Sequence, residues 1–222
     1  MKIVITGTTG FVGEGVLLEC LQHPAISQVI SVSRKPTGIS HAKLEEYLVP
    51  DFLALSLDDP KLKGYDACFF CAGISSVGIK EAEYKRITYD TTLHFAKCLS
   101  PNPQLSFIYV SGSGTDSSEK GRLAWARIKG KTENDLMRLP FKQAFGYRVG
   151  FMKATNGQKR MNTLFKAVTF LYPVLKTLFP RMSNTIHQVA LSMIYVSKHG
   201  YPNNIIHVKD IDALAAKDTP NA

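Results

Sequence analysis

The 222-residue sequence predicts an α/β fold: a doubly wound parallel sheet in one domain, with a small C-terminal helical region. Three observations carry this expectation. The chain opens on an apolar run, Ile3-Val4-Ile5, that passes into glycines at 7, 10 and 13 and then into an amphipathic segment. Runs of strand length then alternate with helix-length segments as far as residue 147. Finally, residues 67–72 are apolar without alternation, as a central strand covered on both faces requires.

Taken in order, residues 2–6 form the first strand. A helix follows over about 11–21, with Phe11, Val12, Val16 and Leu17 on one side. Strands are expected at 28–33, 44–49, 66–72, 105–110 and 141–147, the last starting after Pro140. Helices are expected at 80–99, with Ile87, Phe95 and Leu99 inward, and at 120–139. This repeated strand–helix–strand order implies right-handed crossovers and parallel pairing. Residues 1–150 therefore read as the nucleotide-binding part.

The texture changes over 151–222, read as a helical region packed on the same domain. Leu164, Phe165, Val168, Leu171, Tyr172, Leu175 and Leu178 recur at roughly helical spacing, with Lys159, Arg160, Lys166, Lys176 and Arg181 among them. Two readings stay open for 159–181: a helix packed on the sheet or against a second copy in a homodimer, and a basic, apolar face that meets a membrane or a protein partner. A further helix is expected at 184–198 and a late strand at 205–208. The tail from 213 is small and polar and is expected to fray.

Composition narrows the classes. No apolar stretch is long enough to span a bilayer. The N-terminus reads as a strand and not as a secretory leader, so a cytoplasmic location is expected. The four cysteines make no disulfide framework, and Cys68 and Cys71 lie in a buried strand pointing to opposite faces, which argues against a redox pair. No cluster of metal-ligating residues is apparent. The net charge of +9 divides as +6 over residues 151–222 and +3 before them. Lacking a basic cluster or recognition-helix pattern, it points to an anionic cofactor and not to nucleic acid.

The opening strand, glycine turn and helix form a Rossmann-like dinucleotide signature. The turn lets a pyrophosphate approach the backbone, and the first amides of the helix then face the anion. The acidic residue that would hold the ribose hydroxyls of NAD, about twenty residues beyond Gly13, is absent. Arg34 and Lys35 stand there instead, two cations suited to a 2′-phosphate, so NADP is the expected cofactor. Hydroxyls at Ser111, Ser113 and Thr115 end the fifth strand, where open α/β sheets bind ligands. Trp125 and Lys129 lie one helical turn apart on the following helix.

The segment Gly7-Thr8-Thr9-Gly10-Phe11-Val12-Gly13, the Cys71-Ala72-Gly73 strand end, the serines after strand five and Lys129-Gly130-x-x-Glu133 together resemble the short-chain dehydrogenase/reductase superfamily. The resemblance covers about residues 1–150 and is to its atypical and extended branches, of the epimerase/dehydratase-like and TIP30-like type. It implies that Gly7–Gly13 and Cys71–Gly73 line the cofactor, that Asp51 and Phe52 flank adenine, and that Lys129 holds the ribose. Arg148-Val149-Gly150-Phe151 is similar to the superfamily's Arg-Pro-Gly segment near the nicotinamide, with Val149 replacing proline.

The sequence departs from that superfamily at its chemical centre. Trp125 stands where the proton-donating tyrosine belongs, and an indole N–H does not titrate in a useful range. The usual serine position falls on Gly112, leaving Ser111 or Ser113 to bind a carbonyl. Nothing selects among Tyr84, Tyr89 and a bound water as the proton source. Two functions follow: an NADP-dependent oxidoreductase acting on a small carbonyl-type substrate through Lys129 and Ser111 or Ser113, or a non-catalytic NADP-binding regulatory or assembly protein.

Overall fold

In the computed structural model, which describes residues 1–161 and 163–218 (the side chains of Leu164 and Arg181 lie outside the described set), the opening strand β1 (Lys2–Thr6) sits near the middle of a seven-stranded sheet. Ile3, Val4 and Ile5 are fully buried. Helix α1 (Phe11–Gln22) returns the chain to β2 (Gln28–Ser33), which pairs with β1, and β3 (Leu44–Leu48) adds beyond it. The chain then crosses to β4 (Ala67–Phe70) on the other side of β1.

Helix α2 (Glu81–Lys85), a π-helical turn (Arg86–Asp90) and α3 (Thr91–Leu99) lead to β5 (Asn102–Val110). Helix α4 (Ala124–Leu136) leads to β6 (Phe141–Arg148). Beyond β7 (Phe151–Lys153), α5 (Thr163–Leu178) and β8 (Ser183–Thr185), helix α6 (Ile186–His199), β9 (Ile205–His207) and α7 (Val208–Ala215) bring the chain back to the sheet.

The strand order is β3-β2-β1-β4-β5-β6-β9 and every pairing is parallel. Order reverses between β1 and β4, and that reversal opens a crevice at the carboxyl ends of the strands. Alternation along the strands separates two cores. Ile3, Ile5, Phe69 and Ile108 face α1 and α6, whereas Val4, Cys68, Phe70 and Phe107 face α3 and α4.

Several elements differ from the sequence expectation. The helix expected at 80–99 is interrupted by the π-helical turn. The helix expected from 120 starts only at Ala124, because Asp116 folds residues 116–121 into a loop, accepting from the Ser118 and Gly121 amides at 3.0 and 2.7 Å. Of the tail expected to fray from 213, residues 213–215 instead close α7, with Leu214 and Ala215 buried; residues 219–222 lie outside the described set. β7 and β8 pair as a separate two-stranded ribbon too short to show a sequence pattern.

Candidate functional site

β1 ends at Thr6, whose Oγ1 accepts the Ala72 amide at 3.2 Å and ties the tips of β1 and β4 together. Gly7 follows at φ +70°, where a Cβ would lie 2.6 Å from the backbone of Cys71 and Ala72. The glycine is thus required twice, by backbone conformation and by close approach. Gly13 packs directly on the Gly7 backbone. Helix α1 begins with Gly10 as its N-cap and no side-chain cap. The first-turn amides of Phe11, Val12 and Gly13 have no carbonyl partner four residues back, so they are directed at the crevice with the helix dipole behind them.

A cleft of about 730 Å³ runs along this edge, lined by Gly7, Thr9, Gly10, Phe11 and Val12, by Cys71, Ala72 and Gly73 with Ile74 and Ser75, and by Ser33, Arg34 and Phe52 at one end. Val110, Ser111, Lys129, Val149 and Phe165 line the other end. Two predicted loop residues take supporting places instead. Thr8 is buried with its hydroxyl on Ser31 at 2.7 Å, and Gly13 forms the floor beneath Gly7.

At the Arg34 end the cleft adjoins a smaller pocket of about 220 Å³ lined by Arg34, Asp51, Phe52, Ile74, Arg86 and Ile87, among others. Asp51 caps the turn that carries Phe52, accepting the Leu53 amide at 2.9 Å. Lys35 lines neither cavity: it points to solvent, and its carbonyl accepts from Ser33 Oγ at 2.7 Å. Arg86, which the sequence did not single out, supplies the second guanidinium. It sits on the π-helical turn, a feature with no sequence signature.

The other end is organised by a buried carboxylate. Glu133, 1% exposed, accepts Ser111 Oγ at 2.5 Å and Arg148 Nη2 at 2.6 Å. The hydroxyl proton of Ser111 is therefore committed to Glu133, which corrects the expectation that Ser111 donates to a carbonyl. Ser113 is exposed and outside the cleft lining, its amide donating to Val149 O at 2.7 Å, so it is not brought to the site. Lys129 Nζ donates to the carbonyl of Ser111. Burial pushes the Lys129 ammonium down from 10.5 to about 8, against the opposing pull of Glu133.

No tyrosine lines the cleft among the described residues. Tyr84 is buried and outside the lining, and Tyr89 donates to Asp135 at 2.6 Å. The Trp125 ring packs against Gly114 and does not line the cleft. Burial raises the Cys71 thiol to about 12, so no thiolate forms there near neutrality. Among the described residues no group of three or more His, Cys, Asp or Glu is placed to hold a metal.

No protein-family model matches the chain. It is 31% identical over 118 residues to the leucinostatins biosynthesis cluster protein T of Purpureocillium lilacinum, covering 51% of this chain and 44% of that one. It is 25% identical over 165 residues to the mitochondrial protein fmp52-1 of Aspergillus terreus, covering 72% and 70%. Among solved structures, the dTDP-glucose 4,6-dehydratase DesIV of Streptomyces venezuelae, with NAD and TYD bound, aligns with a TM-score of 0.67 at 15% identity, covering 98% of this chain and 80% of that one. The fold is that of the extended short-chain dehydrogenases/reductases.

The relatives correct one expectation. Fmp52 proteins from several fungi are named mitochondrial, which overturns the cytoplasmic location. A strand at the start of the sequence carries no information about where the protein resides.

Proposed function

We propose that the protein binds NADP(H) along this cleft and acts as an oxidoreductase on a small carbonyl-type substrate. One arrangement carries the reading: a single cleft joins an uncapped helix N-terminus, a guanidinium and an aromatic ring in one lining, and a half-buried lysine. The residues fit the cofactor. The first amides of α1 would hold the pyrophosphate, Phe52 would cover the adenine, and Arg34, with Arg86 in the adjoining pocket, would meet the 2′-phosphate. Lys129 reaches the nicotinamide ribose.

NADPH, when bound, supplies the hydride to the carbonyl carbon. Lys129 supplies the proton to the carbonyl oxygen, leaving an alcohol, and regains one from solvent. Its lowered value places it where a general acid works near neutrality. The Ser111 carbonyl aims the ammonium, and Glu133 with Arg148 holds Ser111 in place.

The test is a binding titration with NADPH and NADH. The wild type should prefer NADPH, and Arg34→Ala should lose about tenfold or more of NADPH affinity while NADH binding stays as it was. Equal affinities in the wild type refute the reading. Turnover of a carbonyl panel should vanish in Lys129→Met. A second reading, an NADP-binding regulatory protein without catalysis, is favoured by Trp125 in the place of the phenol. Tight NADPH binding with no turnover across the panel decides for it.

A further inference from the structure

We propose that the outer face of α5 is a docking surface for an anionic lipid bilayer, on which the protein rests peripherally. α5 is apolar on two sides. Its inward stripe, with Phe165 stacked on Phe11 at 4.0 Å and Tyr172 buried, closes over the glycine turn. Its outward stripe, Phe170, Leu171, Val174 and Leu178, recurs at the spacing of a second helix face and stands in solvent, with Phe170 84% and Leu178 65% exposed. Phe179 and Met182 extend it past the helix end. No charged residue falls between Lys166 and Lys176. The next helix, α6, differs: Val189, Met193 and Val196 are fully buried, and the residues it exposes are His187, Lys198 and His199.

Charge selects the occupant. From residue 136 to residue 209 the chain has no Asp or Glu, against eleven Lys and Arg. Some of these cations are held within the fold: Arg148 on Glu133, Arg160 on the Thr37 carbonyl and Lys176 on Asp212. Lys153, Lys159 and Lys166 are exposed and flank or precede the apolar helix. A second copy docked symmetrically would bring this same acid-free segment against itself. A bilayer of anionic lipids offers apolar depth to the stripe and phosphates to the lysines. No described helix is long and apolar enough to cross a membrane, so contact is at the interface.

The test is flotation of the full chain with vesicles of phosphatidylcholine alone and with about 30 mol% phosphatidylglycerol. Partition should rise about a hundredfold with the anionic lipid and fall toward the neutral value at high salt. Phe170→Asp with Val174→Asp should abolish binding with no change in melting temperature or NADPH affinity, both positions being exposed. Lys153, Lys159 and Lys166 changed together to Gln should remove the preference for anionic lipid. The proposal is overturned if the wild type stays in the aqueous fraction with both vesicles, or if the double Asp variant floats as the wild type does. It is equally overturned by a dimer in ultracentrifugation that the double variant dissociates without any vesicle binding, or by binding to an acidic polypeptide such as polyglutamate with none to vesicles. None of these outcomes bears on the cofactor reading, which the NADPH titration tests separately.

Discussion

The two ends of the cleft are built on opposite principles. The glycine-turn end is made of backbone: a positive-φ glycine, an uncapped helix start and a strand tip pressed against its neighbour. The chemical end is made of side chains that hold one another: Glu133 takes Ser111 and Arg148, and Ser111 takes Lys129. A backbone site tolerates change in most side chains around it but not in its glycines. A side-chain network tolerates none of its members being removed alone, because a buried partner is then left unsatisfied.

The largest expected effect separates the two ends. Glu133→Ala leaves the largely covered Arg148 guanidinium without its carboxylate and should lower stability by about 3 kcal/mol. For a chain of this size the melting temperature should fall by about 10 °C. Replacing both Glu133 and Arg148 by Met should recover most of the loss. The Arg34-dependent preference for NADPH should survive in any folded fraction, since that end shares no hydrogen bond with Glu133. If Glu133→Ala melts within a degree or two of the wild type, the network is not what organises the chemical end.

A smaller effect comes from Lys129. Its folded value, about 8, is below its ordinary 10.5, so folding disfavours the charged form. That cost is fully present below pH 8 and disappears as pH rises through 10.5. The wild type should therefore gain about 2 kcal/mol relative to Lys129→Met between pH 8 and 10.5, measured from paired urea midpoints. An anionic nucleotide beside Lys129 should pull its value back up, so binding at pH 8–9 should take up a proton. Calorimetry in two buffers of different ionisation enthalpy reads that uptake. A flat stability difference across this range would mean the ammonium is better solvated than its place beside the Ser111 carbonyl implies.

The same contrast explains how much was legible in the sequence. The glycine turn, Arg34 and the alternation of strands with helices are local: each is set by residues within one strand–helix unit, so pattern and spacing reveal them. Lys129 was legible through the resemblance that Lys129-Gly130-x-x-Glu133 carries. The commitment of Ser111 to Glu133 was not, because it joins positions 22 residues apart on different elements. Ser113 and Lys35 sit one or two residues from Ser111 and Arg34, which line the cleft, but in a loop and at a strand end such a shift turns a side chain out to solvent. Arg86 had no signal, because the π-helical turn that places it leaves no periodic trace. The final helix, with Val208, Ile211, Leu214 and Ala215 buried, went unread because its eight residues give barely two turns of pattern beside a small, polar tail.

The smallest expected effect is the most pointed test of the chemical end. If loss of the phenol were the whole departure from the resembling enzymes, Trp125→Tyr would restore a proton donor and raise turnover steeply. The structure argues otherwise. The indole at 125 packs on Gly114, outside the cleft lining, and a tyrosine on the same helical turn would begin from that direction. Ser111, which would have to share in polarising the carbonyl, already donates its hydroxyl to Glu133. Trp125→Tyr should therefore change turnover by no more than about twofold and melt slightly lower through lost aromatic contact. A gain of about a hundredfold, the low end of what a positioned general acid contributes, would show that the phenol alone was missing and that Lys129 is not the proton donor.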